Sequence, residues 1–227
     1  MHITLQPGGQ NIRAAGFFVP PLSHRPWLPS IRPPSGPMHY ATLKRLLQIL
    51  AQKAQIIGAV NTVLNDHGVW IGENMDGKGF VRALQLAGTE LAGKRITLLG
   101  AARAIAVECA LAGAVHITII NRNRQRGEEL AALIASATGA SSLYLPWTPG
   151  VDIPADTDIL IQATCVGLGA NEQPDINYDT ILPHLVASDV VFNPVMPAFL
   201  LQAKSRGAQV VTGIGILVQQ GTKNFEL

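Results

Sequence analysis

Arg122 is the residue from which the chemistry of this chain is read. It follows an apolar run, His116 to Ile120, in the stretch HITIINRNRQR, and no carboxylate ends that run. An acidic side chain there would accept a ribose 2′-hydroxyl, whereas a guanidinium suits a 2′-phosphate. Upstream, Gly100 stops another apolar run, Ile96 to Leu99, and a small-residue helix is predicted from Ala101 to Leu111, broken by Gly113. A helix that starts directly after a strand and a glycine turn aims free backbone N–H groups at an anion. Lys94 to Arg126 therefore reads as a βαβ unit for a dinucleotide, and predicts NADP in preference to NAD. One detail departs from the pattern. A G-x-G-x-x-G turn needs several glycines, and Gly100-Ala101-Ala102 supplies one.

The remaining elements are those that must position this unit. Leu43, Leu46, Leu47 and Leu50, then Ala54 and Ile57, recur at three- and four-residue steps, which predicts a helix from Ala41 to Gly58. Ala59–Leu64 and Val69–Gly72 predict a hairpin turning at 65–68, and Gly77–Leu86 a helix with Asp76 as its N-cap. After the βαβ unit come a helix from Gln125 to Thr138 and strands at Ser142–Leu145, Asp158–Ala163, Asp189–Phe192 and Gln209–Val211. Further helices are predicted at Pro197–Ser205 and Gly215–Phe225. Alternating βα units give an α/β fold, a doubly wound parallel sheet. Asn121, Thr164 and Asn193 fall at the carboxyl ends of its strands, where ligands of such sheets bind.

Composition narrows the class. The chain has 227 residues, 48% hydrophobic, with a net charge of +2, which by itself implies no nucleic-acid partner. The charge is uneven: no Asp or Glu precedes Asp66, while Arg13, Arg25, Arg32, Lys44, Arg45 and Lys53 do. Residues 1–40 hold eight of the fifteen prolines without helix or strand periodicity, and read as an irregular segment. Cys109 and Cys165 lack metal or redox spacing and read as two buried free thiols in a reducing, cytoplasmic setting. No run has the length of a membrane span, and no signal sequence opens the chain.

Taken together, QIIGAVNTVLNDHGVWIGENMDGKGFVRAL, ITLLGAARAIA, INRNRQRGEEL, ATCVGL, VVFNPVMPAFLLQA and GIGILVQQG resemble the shikimate dehydrogenase family, including its quinate/shikimate branch. The resemblance runs from Ala54 to the C-terminus. It implies a Rossmann NADP-binding domain (residues 93–213) beside an incomplete α/β substrate domain (41–92), with 214–227 a helix returning to the latter. It also implies reversible reduction of 3-dehydroshikimate to shikimate with NADPH, on the route to aromatic amino acids. Quinate is the other candidate substrate, and oligomeric state stays open. By the same resemblance, Asp76 partners a catalytic lysine, Asn61 bonds substrate hydroxyls, and Gln220 reaches substrate from the returning helix. Gly100 and Ala101 form the glycine turn, Thr164 and Gly213 lie beside the nicotinamide and its ribose, and Asn121, Arg122 and Arg126 surround the adenosine phosphate. Purely structural roles compete: a cap for Asp76, backbone satisfaction for Asn61, a solvent-facing Gln220, an Arg-rich helix start for Arg122 and Arg126. The last is the weakest, because a helix N-terminus is a poor place for cations unless an anion joins them.

The departures fall at functional places. The family's opening strand, S-x-S motif and P-H-K motif have no match, and the catalytic lysine aligns with Tyr40, with His39 at the histidine. The family glycine turn, G-A-G-G-A, is shorter here; its N-x-D-G threonine is Met75, and its substrate-facing tyrosine is Phe192. The chain ends at Leu227, where the family continues into a further helix. These departures predict an impaired product, as a deleted or shifted reading frame would give. The readings that follow are a dehydrogenase of shikimate or quinate, an inactive remnant, an NADP-binding module without activity, or a dehydrogenase of another small acid or cyclitol.

Overall fold

A computed structural model describes residues 3–4, 49–50, 52–66, 69–169 and 171–225, so Tyr40 and His39 lie outside the described residues. The chain divides into two units, Met1–Asn74 and Met75–Leu227.

In the first unit β1 (Ile3–Thr4) pairs antiparallel with β3 (Ala59–Val60). A strand therefore stands inside the segment expected to be irregular. Ile49 and Leu50, expected in a helix, form β2, which runs parallel to β5 (Val69–Glu73). Helix α1 runs over Gln52–Ile57, and positions 41–48 and 51 of the expected helix lie outside the described residues. The periodicity places Leu50 in a helix, but at Ile49 and Leu50 pairing with a neighbouring strand overrides it. β4 (Thr62–Asp66) and β5 form the expected hairpin, with Asn65 opposite Trp70 and Asp66 opposite Val69. Asn65 and Asp66, two of the four residues assigned to the turn, are therefore strand.

The second unit opens with α2 (Asp76–Leu86), whose Phe80, Ala83 and Leu84 are buried. Burying side chains of the size of Phe80 and Leu84 contributes roughly 1.5–3 kcal/mol each. Met75 occupies the cap position and makes no side-chain capping bond, so Asp76 lies in the first turn, where its charge still suits the helix dipole. β6 (Arg95–Leu99) leads into α3 (Arg103–Leu111), and β7 (His116–Asn121) into α4 (Arg124–Ala137). β8 (Ser141–Pro146), a short β9 (Val151–Asp152), β10 (Ile159–Gln162) and β11 (Ile176–Asn177) follow. β12 (Val186–Asp189), α5 (Ala198–Ser205), β13 (Gln209–Val211) and α6 (Gly213–Phe225) complete it.

Six strands form a parallel sheet in the order β13-β12-β10-β6-β7-β8, as the α/β reading expects. One apolar core lies on the face where Leu99, Ile120, Leu160 and Ala187 meet Phe199, Leu200 and Ala203 of α5. β12 is the correction that matters most. The apolar Val190-Val191-Phe192 looked like the strand, but the strand ends at Asp189 and includes the buried Ser188. Smaller shifts are found at α3, which starts at Arg103 and not at Ala101; at α5, where Pro197 caps; and at α6, which takes in Gly213. Cys109 is buried, but Cys165 is exposed, because it follows β10 in a turn and not within the strand.

Candidate active site

Parallel register places Leu99, Ile120, Gln162 and Asp189 in one row across β6, β7, β10 and β12. The residues just beyond that row form the carboxyl edge of the sheet, and the sequence-predicted positions Gly100, Asn121, Arg122 and Thr164 lie at the ends of its strands. Gly100 adopts φ +109, a region closed to most side chains, and donates its N–H to the Ile120 carbonyl at 2.9 Å. A Cβ on Gly100 would fall 3.1 Å from the Ala163 carbonyl oxygen and 3.1 Å from Cγ2 of Thr164. The β6 and β10 turns thus approach closely enough to exclude a side chain.

Beyond Gly100, Ala101 is exposed and Ala102 precedes α3, whose first bond runs from Ala106 N–H to Ala102 C=O at 3.0 Å. The N–H groups of Arg103, Ala104 and Ile105 consequently lack intrahelical acceptors. The Arg103 Nε is buried with no hydrogen-bond partner among the described residues. Unsatisfied donors, a guanidinium and a turn without a side chain fit a diphosphate, although the loop supplies fewer N–H groups than a longer glycine turn would.

At the end of β7 the half-buried Asn121 is held by its main chain. Its carbonyl accepts from Tyr144 Oη–H at 3.2 Å and from Trp147 N–H at 3.2 Å, while its Nδ2 donates to the Asn123 carbonyl at 3.3 Å. Asn123 caps α4 by accepting from Arg126 N–H at 2.9 Å, a role that an Asn before a periodic segment signals and that the sequence reading passed over. Arg124 is neutralised by Glu128 at 2.8 Å. Arg122 and Arg126 are exposed and pair with no carboxylate among the described residues. Cations without counter-ions at a helix start fit an added phosphate.

Thr164 is fixed by Gln162, whose Oε1 accepts the Thr164 N–H at 2.6 Å and whose Nε2 donates to Val166 C=O at 3.0 Å. Gly213 starts α6 pressed on the end of β12, where a Cβ would fall 2.8 Å from the Val190 carbonyl oxygen. Asp189 is fully buried, and burial pushes its carboxyl up to about 7, only partly offset by the N–H it accepts from Val191 at 2.8 Å. Gln162 and Asp189 escaped the sequence reading because polar residues inside apolar runs do not alter the period.

The substrate positions divide between the units. Asn61, in the first, donates its main-chain N–H to Glu73 C=O at 3.0 Å and accepts at Oδ1 from Thr62 Oγ1 at 3.1 Å. In the second, α2 packs between α3 and α6. A Cβ on Gly79 would fall 2.6 Å from Gln220 Cγ, and one on Gly77 2.6 Å from Glu108 Cγ. Gln220 is therefore half-buried on α2, one helical turn from Asp76, and does not simply face solvent. Phe192 is half-buried in the turn after β12. Among the described residues no cluster of His, Cys, Asp or Glu could hold a metal ion, and no helix is long and apolar enough to cross a membrane.

No family model matches the chain. The NADP(+) shikimate dehydrogenase of Desulforamulus reducens is 39% identical over 197 residues, covering 83% of this chain and 68% of that protein. Among solved structures, the 5-ketofructose reductase of Gluconobacter sp. strain CHM43 is 45% identical with a TM-score of 0.79, over 82% of this chain and 68% of that one. Shikimate 5-dehydrogenase of Listeria monocytogenes, solved with shikimate and NAD, is 34% identical with a TM-score of 0.75, over 81% of this chain and 68% of its own. With this identity spanning both units and the dinucleotide edge built as described, the chain belongs to the shikimate dehydrogenase family.

Proposed function

We propose that this chain is an NADP(H)-dependent oxidoreductase that interconverts 3-dehydroshikimate and shikimate, with quinate as the branch alternative. The observation that carries the reading is the start of α4, where Arg122 and Arg126 have no carboxylate partners among the described residues and stand beside an Asn123 cap. The diphosphate would lie on the N–H groups that open α3, near Gly100, Ala101 and Arg103, and the nicotinamide end by Thr164 and Gly213. NADPH supplies the hydride when bound. Asp76 would serve as the acid–base partner at the reacting oxygen, while Asn61 and Gln220 would orient hydroxyls. Because Tyr40 stands at the position of the family lysine, turnover is expected to be well below the roughly 10 s⁻¹ of ordinary enzymes. The test follows NADPH oxidation with 3-dehydroshikimate beside calorimetric titration with NADP⁺. Slow turnover with binding fits the proposal; binding without turnover reduces the chain to an NADP-binding module; neither leaves an inactive remnant.

A second reading is favoured by the 45% identity to a 5-ketofructose reductase. A ketofructose is an uncharged polyhydroxy ketone, so it needs no groups for a carboxylate. Phe192, standing where the family has a tyrosine hydroxyl, removes one polar group from that region. A higher kcat/KM for 5-ketofructose than for 3-dehydroshikimate would establish this reading over the first.

A further inference from the structure

We propose that Asp189, with Gln162 beside it, is a positioning residue for the nicotinamide end of the cofactor site; this rests on the NADP(H) reading above. Both side chains are fully buried, and they stand opposite one another in the β10–β12 register, hence on one face of the sheet. Each reaches up to one of two turns. Gln162 brackets the first, accepting from Thr164 N–H at 2.6 Å and donating to Val166 C=O at 3.0 Å. Asp189 Oδ1 holds the second by accepting from Val191 N–H at 2.8 Å. Val191 in turn abuts Gly213: a Cβ there would fall 2.5 Å from the Val191 carbonyl carbon. One buried polar pair thus sets both Thr164 and the first residue of α6.

The cost of the pair argues that it has a use. Asp189 Oδ2 is buried with no protein partner among the described residues, and a buried carboxyl left half-satisfied is unfavourable in a strand that any apolar residue could fill. Tyr178 is the titratable side chain whose field it shares, and that hydroxyl is occupied by Pro174 C=O at 3.0 Å. What Asp189 achieves is the bond to Val191.

The test uses the full chain and two probes, NADPH and adenosine 2′,5′-bisphosphate, which carries the adenosine end alone. Asp189→Ala is expected to weaken NADPH about tenfold, the loss of a buried hydrogen bond, while the bisphosphate changes by less than about twofold. Asp189→Asn, which keeps an oxygen for Val191 N–H, should recover most of that loss. If Asp189→Ala does not fold, Gln162→Glu, which loses the bond to Val166, should show the same selective weakening. Equal losses for both probes, or no loss for NADPH, would overturn the proposal while leaving the cofactor reading intact. Failure of the wild-type chain to bind either probe overturns the cofactor reading and this inference with it.

Discussion

At the scale of single residues, the site is defined by where a side chain cannot stand and by where a charge is kept at a cost. Gly213 meets the Val190 and Val191 carbonyls so closely that Gly213→Ala must push α6 away from β12. The expected result is a stability loss of about 1–3 kcal/mol by denaturant unfolding, together with weaker NADPH binding. Asp189 gives a prediction of defined sign. Its carboxyl lies at about 7 in the fold against an ordinary 3.8, so ionisation opposes folding. That penalty is absent below about pH 4, grows as pH rises to about 7, and is constant above, with a ceiling of about 4 kcal/mol at 1.36 kcal/mol per unit. Asp189→Asn, which cannot ionise, should therefore gain stability relative to the wild type between pH 5 and pH 8. Melting curves at both pH values check this; a difference that does not change with pH would show that the carboxylate ionises in the fold without penalty.

At the scale of elements, the N-terminus of α4 combines a favourable cap with unfavourable cations. Replacing Arg122 and Arg126 by Gln should relieve repulsion from the helix dipole, worth roughly 0.3–1 kcal/mol, and raise the ligand-free melting temperature slightly. The same double variant should lose NADP⁺ affinity while NAD⁺ affinity holds, and titration with both cofactors reads the difference. The βαβ unit was legible because strands buried on both sides are continuous apolar runs and the helix between them is bounded by glycines. β12 was not. Asp189, expected as its first residue, is its last, and Ser188 before it is a buried strand residue, whereas Val190-Val191-Phe192 is apolar because it packs into the turn that follows. Asp76 and Gln220 were located on the right helices from the family pattern. That Gly79 is what lets α2 and α6 meet there could not be read, since a glycine inside a helix is silent about its neighbour.

At the scale of the whole molecule, catalysis needs more than a cofactor edge. The second unit has the turns, the cap and the buried polar pair proposed to hold a dinucleotide, and Asp76 stands at the head of α2. The chemistry still needs a proton donor beside Asp76 and hydroxyls for the substrate. The sequence aligns Tyr40 with the first and has no match for the S-x-S motif. A general acid typically contributes about 10²–10⁴ in rate, so by proton transfer alone Tyr40→Lys would restore an ordinary turnover. It is expected not to be. A lysine restores proton transfer only if the ketone is held within reach of it, and the serine hydroxyls that hold substrate in the family are missing. Steady-state assays of the wild type and Tyr40→Lys with NADPH and 3-dehydroshikimate decide the matter. Turnover in Tyr40→Lys that stays within about tenfold of the wild type agrees with two missing functions; a rise of about a hundredfold or more would show that proton donation alone limited the chain.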